Sequence, residues 1–222
     1  MPSAEHTTGP TRRRPPAVRR RMLLDAARTV IADRGLHATT VRDVAAAGGV
    51  AVGTVTYHFS GIAELLAGVL ESEMAAYSAP LMSAAEERPR GRDALLLLLD
   101  GLLADGDRAA EHWKLWLDFW ALAAHREDYA RWQHQVYVDL HGLVTRLLDR
   151  GRLDGSLQVA DPLQSAVEIV ALLDGLVVQC YLPGARLTPA LGRDMLRRQL
   201  DRLGNELEVD VPSSGRRVPP CS

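Results

Sequence analysis

The chain reads as all-α, and three observations carry that reading. Apolar residues recur at helical spacing from Leu23 to beyond residue 200, glycines and prolines punctuate the runs, and no stretch alternates convincingly as a half-buried strand would. The pattern predicts about nine helices: three near the N-terminus forming a small head, and the rest a larger helical body.

Residues 1–16 are rich in Pro, Thr and Arg and are expected to be a disordered basic tail. Leu23, Ala26, Ala27, Val30 and Ile31 then mark one face of a helix that Gly35 stops. Thr40 is placed to N-cap the next helix, with Asp43 three residues on in capping-box position. Val41, Val44 and Ala45 face inward, and Gly48-Gly49 ends this helix. Val52, Val55 and Phe59 are expected to bury the third. A fourth helix should run from about Ile62 to Ala79, because Pro80 disfavours helix at the residue before it.

EERPRGR, residues 86–92, reads as a loop. Further helices are predicted near 92–104, 109–126, 128–150, 162–182 and 189–207, separated at Gly106, at Gly151 and Gly155, and at Pro183-Gly184. Asp161-Pro162 is a strong start signal, an N-cap followed by proline at the first helical position. The tail from Val209, with three prolines and a Ser-Ser-Gly step, is expected to be disordered. The resulting domains are a tail (1–16), a head (17–60), a body (61–208) and a second tail (209–222).

With 222 residues, 47% hydrophobic and 24% charged, the composition is that of an ordinary soluble protein. The net charge of −2 hides an asymmetry. Residues 1–60 hold nine arginines against four acidic residues, whereas the remainder holds 17 basic and 24 acidic ones. A basic head on an acidic body fits a nucleic-acid contact confined to one end. Cys180 and Cys221 form neither a disulfide framework nor a metal-ligand spacing. No signal-peptide pattern is present, and the apolar segment 166–182 is interrupted by Glu168 and Asp174, which makes it a poor membrane span. A cytoplasmic location is the expectation, and no cofactor is implied.

Residues 40–59, TVRDVAAAGGVAVGTVTYHF, carry the functional signal. Short helix, glycine turn and short polar helix is the arrangement that lays a second helix into the DNA major groove. On that second helix Gly53, Thr54, Tyr57 and His58 point outward, with Thr56 on the flank. Gly53 allows close backbone approach to DNA, at about 1 kcal/mol of helix stability relative to Ala. Thr54 and Thr56 suit phosphates or a thymine methyl, and Tyr57 and His58 suit phosphates. Arg19 and Arg20 upstream, with Thr40 and Arg42 on the brace helix, complete the candidate DNA-contacting set.

These residues resemble the TetR family of one-component regulators. Thr40, Val41, Val44, Ala45, Gly49, Val50, Gly53, Thr54, Val55, His58, Phe59, Leu65 and Leu66 match its pattern without a gap over roughly residues 19–70. The resemblance implies a homodimer that binds a palindromic double-stranded DNA operator and releases it when a small-molecule inducer enters the body. Three departures bear on DNA contact: Ala51 where a Ser usually caps the recognition helix, Thr56 where a Tyr is common, and Ile62 where a Lys often stands. The loss of the cap is worth roughly 1 kcal/mol. Arg12 to Arg14 and Arg19 to Arg21 are expected to offset the lost contacts, which makes binding strongly salt-dependent.

In the body the clearest feature is HWKLWLDFWALAAH, residues 112–125. Trp113, Trp116 and Trp120 share one face of a helix that is apolar nearly all round and should be buried. They wall a ligand pocket or are plain core, and Trp132 on the following helix joins either arrangement. Asp118 points to the other side and needs a partner: an arginine, a hydroxyl or a bound cation. Trp113, Trp116, Asp118, Trp120 and Trp132 are the candidate ligand-binding residues. His134 and His141 are two turns apart, roughly 10 Å, too far to chelate one metal. The helices at 128–150 and 162–182 are the candidates for the dimer interface.

No catalytic residues emerge. The chain has no phosphate-cradling glycine loop, HExxH, nucleophile elbow or paired EXXH sites, so it does not read as an enzyme. The alternative to a regulator is a helical small-molecule-binding protein with weak or lost DNA binding.

Overall fold

The computed structural model describes residues 15–205, and the expected tails, including Arg12 to Arg14, lie outside or almost wholly outside that range. Ten helices and no strand are found among the described residues: α1 (Pro16–Arg34), α2 (Val41–Ala47), α3 (Val52–His58), α4 (Ile62–Ala76), α5 (Ser78–Glu86), α6 (Gly91–Leu102), α7 (Asp107–Ala123), α8 (Glu127–Leu153), α9 (Pro162–Tyr181) and α10 (Pro189–Asn205). The all-α reading is correct. The tenth helix is α5, which the sequence reading dissolves into the end of the fourth helix and a loop. Pro80 causes the break, but a turn earlier than expected. It lacks the N–H that would bond the carbonyl four residues back and its ring crowds that carbonyl, so the helix is interrupted at Tyr77. Pro80 then sits in the first turn of α5, where no intrahelical N–H bond is required. At the other end, α1 starts at Pro16, inside the stretch expected to be disordered.

Two compact units form. The first contains α1 to α4 together with residues 115–122 of α7. Its core is Leu23, Ala27, Ile31, Leu36, Val44, Val55, Phe59, Leu65, Leu70 and Phe119. Gly68 of α4 is buried opposite Leu24 of α1, where an added Cβ would lie 3.0 Å from the leucine side chain. One turn further along α4, the Glu73 carboxylate is 1% exposed and meets the Arg28 guanidinium of α1 at 3.0 Å. A carboxylate so buried requires such a partner.

The second unit contains α5, α6, the ends of α7, and α8 to α10. Its organising feature is the C-terminus of α6, where helix carbonyls run out of intrahelical partners. Four successive carbonyls each accept from a different segment: Gly101 from Tyr77 Oη at 2.9 Å, Leu102 from Trp113 Nε1 at 2.7 Å, Leu103 from Arg193 at 2.6 Å and Ala104 from Tyr181 Oη at 2.6 Å. Burial pushes the Tyr181 hydroxyl well above its ordinary pKa, so it remains a donor. At the other end of α6, the Gly91 and Arg92 amides donate to Asp154 and Ser156 in the loop after α8. There α6 and α8 touch backbone to backbone: a Cβ on Gly91 would lie 2.1 Å from the Gly151 nitrogen.

Helix α9 begins as expected, with Asp161 accepting from the Leu163 and Gln164 amides. By length and composition it could cross a membrane. Its buried side packs on α8 and α10, while Leu163, Val167, Val178 and Leu182 lie exposed along the opposite side. Between these faces Asp174 accepts from Tyr137 Oη of α8 at 2.7 Å, and Tyr137 in turn stacks on His141. Burial pushes the Asp174 carboxyl up to about 6, with the Tyr137 hydroxyl opposing the shift.

Gly91→Ala is expected to cost about 3 kcal/mol or more in urea unfolding, since the added methyl meets backbone that cannot rotate away. Asp174 generates a pH effect of opposite sign to that of most carboxylates. Its folded pKa exceeds its unfolded one, so its contribution to stability is greatest below the unfolded value near 3.8 and declines as pH rises towards about 6. Asp174→Asn, which keeps an acceptor for Tyr137, should flatten the stability profile across that window.

Candidate nucleic-acid interface

The reading helices are held by local chemistry that the sequence encodes. Thr40 and Asp43 form the full capping box at the start of α2, each side chain accepting from the other residue's backbone N–H. The Thr40 hydroxyl is the main cause holding the Asp43 carboxyl below its usual pKa, and Arg34 of α1 pairs with the same carboxylate at 2.9 Å. Gly49 takes φ +61 in the turn, a left-handed conformation that suits glycine. Val50 N–H then closes the turn on the Ala45 carbonyl.

Helix α3 is buried through Val55, and Phe59 at its C-cap is buried too. Val52, expected to join them, is 43% exposed. Helical side chains tilt toward the N-terminus, so at the first position Val52 projects past the end of the helix instead of onto a neighbour. Ala51 occupies the N-cap with no side-chain hydrogen bond, as its lack of a polar atom dictates. The start of α4 is secured by Glu64, which accepts from the Ser60 amide at 2.7 Å and is held below its ordinary pKa mainly by that bond.

An open groove of about 600 Å³ runs between the start of α1 and the outer face of α3. It is lined by Pro15, Pro16, Arg19, Ala51, Gly53, Thr54, Tyr57 and His58. Five residues singled out from sequence, Arg19, Gly53, Thr54, Tyr57 and His58, therefore come together on one surface. Ala51, the uncapped start of α3, joins them, as do Pro15 and Pro16, which the sequence reading leaves out; the Pro-Pro step before the first helical run is the signal that could have placed these two. Tyr57 is 80% exposed and meets the His58 ring edge-on.

The remaining predicted residues lie elsewhere. Arg20 turns inward, its guanidinium 4.7 Å from the centre of the Phe59 ring, so it supports the recognition helix from behind. The Thr56 hydroxyl bonds back to the Val52 and Gly53 carbonyls, and that of Thr40 bonds to Asp43. Arg42 is exposed on α2.

Among the candidate ligand residues, Asp118 finds a partner of a kind not foreseen. Its Oδ2 accepts from the Leu36 backbone amide at 3.1 Å, in place of an arginine, a hydroxyl or a cation. Trp113 is buried in the second unit, its N–H on Leu102 and its ring tilted against Tyr181. Trp116 is buried in the first unit edge-on to Phe119, where Trp120 is half-buried, and Trp132 is half-buried on α8.

A three-helix head presenting a polar recognition helix, followed by an all-helical body, is the build of a helix-turn-helix regulator of transcription. Residues 23–69 match the model of bacterial regulatory proteins of the tetR family, and residues 91–205, more than half the chain, match the C-terminal model of BetI-type transcriptional repressors. The chain belongs to the TetR family of transcriptional regulators. It is 28% identical over 187 residues to the HTH-type transcriptional regulator BetI of Escherichia coli O45:K1 (strain S88 / ExPEC), covering 82% of this chain and 91% of that one. Among solved structures, a TetR-family regulator from Rhodococcus sp. aligns with a TM-score of 0.74 and 25% identity over 84% of this chain and 99% of its own. A regulator from Saccharomonospora viridis, in complex with choline, aligns with a TM-score of 0.75 and 21% identity over 83% of this chain and 96% of its own.

Gly53 separates stability from recognition. A Cβ there would meet nothing within 4 Å, and its backbone does not require glycine. Gly53→Ala should therefore stabilise the protein by up to about 1 kcal/mol in thermal unfolding. It should at the same time weaken binding to operator DNA in a fluorescence-anisotropy titration.

Proposed function

We propose that the protein is a homodimeric repressor that reads a palindromic operator with α3 and leaves it when a small molecule binds the helical body. The observation that carries this reading is the groove joining Arg19 of α1 to Gly53, Thr54, Tyr57 and His58 of α3. Its polar lining can seat a backbone strand beside a helix lying in the major groove, with Arg19 in the groove and Arg42 nearby on α2 supplying charge. Thr40 and Thr56 join the contact only after their hydroxyls rotate away from their present acceptors. A cytoplasmic location accompanies the role.

The dimer is supported by the stripe of exposed apolar residues along α9 and its C-cap, Leu163, Val167, Val178 and Leu182. Leu191 and Met195 of α10 and Val138 and Leu153 of α8 are also exposed, so either helix can extend this surface. A two-fold dimer places two recognition helices roughly 34 Å apart on one face of the duplex. Trp113, Trp116, Asp118, Trp120 and Trp132 are the candidate inducer contacts, with one Asp118 oxygen already accepting from the Leu36 amide. Choline is the first inducer to test, since a structural neighbour binds it and aromatic faces attract quaternary ammonium groups.

The test is a titration of the full chain with DNA from upstream of its own gene, at several salt concentrations. Binding should be sequence-specific, involve two chains per site, and fall steeply with salt, by about 0.9 in log K per log salt for each phosphate neutralised. Failure to select any palindrome from a random DNA pool would instead favour a small-molecule-binding protein without an operator.

A further inference from the structure

We infer that Asp118 is a positioning residue for operator recognition, fixing from α7 the turn that leads the chain into the helix-turn-helix. The inference rests on the operator-binding reading above and concerns a side chain outside the DNA-facing groove.

The turn between α1 and α2 is tightly determined. Gly35 has φ +80 and its amide closes on the Ile31 carbonyl at 2.8 Å. Its own carbonyl accepts from the Thr39 hydroxyl at 2.8 Å, and the Thr39 amide reaches the Leu36 carbonyl at 3.4 Å. Leu36 is 1% exposed. Its amide is directed to Asp118 Oδ2, 82 residues away in sequence. A buried amide without an acceptor is costly, so this turn depends on one carboxylate from a remote helix.

Glycine is needed at the point where the two meet. A Cβ on Gly35 would lie 3.1 Å from the His37 ring and 3.5 Å from Asp118 Oδ2, in addition to the strain of its positive φ. The carboxylate and the imidazole thus both occupy the space a side chain at residue 35 would need. Phe119 beside Asp118 is fully buried in the same core, which anchors this stretch of α7 against the turn. A shift of α7 that separates the carboxylate from the Leu36 amide has to be met by rearrangement of residues 35–40, immediately before the capping box of α2. Trp116 and Trp120 flank Asp118 on the same helix. Displacement of Asp118 is therefore felt at the entrance to the DNA-binding helices. By linkage, operator binding must act back on α7 with equal coupling.

The experiment compares the wild-type full chain with Asp118→Leu and Asp118→Asn, using a DNA fragment from upstream of the gene with its site mapped by footprinting. Far-UV circular dichroism at the assay temperature establishes that each protein is folded. Asp118→Leu should lose operator affinity on the order of 10-fold, and Asp118→Asn, which keeps a carbonyl acceptor, should restore most of it. Tryptophan emission should change on operator binding in the wild type and respond less in folded Asp118→Leu at saturating DNA, a difference that mere loss of stability would not produce. Independently of any variant, Leu36 amide exchange in leucine-labelled wild type should slow when operator is added. Folded Asp118→Leu with wild-type affinity, or a Leu36 amide indifferent to operator, overturns the inference while leaving operator binding intact. If Asp118→Leu does not fold, the wild-type exchange measurement decides alone. A wild type that binds no DNA overturns both readings.

Discussion

The body depends on satisfying the end of one helix. Where α6 stops, its last carbonyls and those of the following loop lie beside the buried residues Leu102 and Leu103, where unpaired oxygens would be costly. Tyr77, Trp113, Tyr181 and Arg193 each supply one donor, and they come from the α4–α5 junction, α7, α9 and α10. One local requirement thereby fixes the mutual placement of most of the unit. Each of these side chains also brings apolar surface: Tyr77 stacks on the buried ring of His112, and Trp113 packs beside Tyr181. Hydrogen bonding and burial point to the same arrangement, the consistency expected of a sequence that specifies one fold.

The head follows a different economy. Its inner side is densely packed around Val55 and Phe59, while its outer side accepts local disadvantages. Helix α3 begins without a side-chain cap, includes a glycine that no neighbour demands, and exposes Tyr57 almost completely. Each of these lowers the stability of the isolated unit, and each lies on the groove. Local rules broken together on one surface mark a surface kept for a partner.

The parts legible in the sequence were those whose cause lies within a few residues. The capping box, the glycine turn, the Asp161-Pro162 start and the helical periods are all local, and gap-free spacings from Thr40 to Leu66 carry the family resemblance. What escaped depends on distance or on the backbone. Pro80 was read as ending a helix when it also permits a new one, because one residue can serve both purposes at adjacent registers. Asp118 was known to need a partner, but a main-chain amide 82 residues away carries no signature in residue type. Arg20 and Arg19 are neighbours of identical chemistry, and only the location of Phe59 decides that one faces the ring and the other the groove.

The contact between Gly91 and Gly151 has a mechanical consequence. Where two helix backbones lie this close, neither can slide lengthwise without driving the next side chain into main chain. Helices α6 and α8 are thereby fixed in register at one end, and the four donors at the far end of α6 fix its direction within the unit.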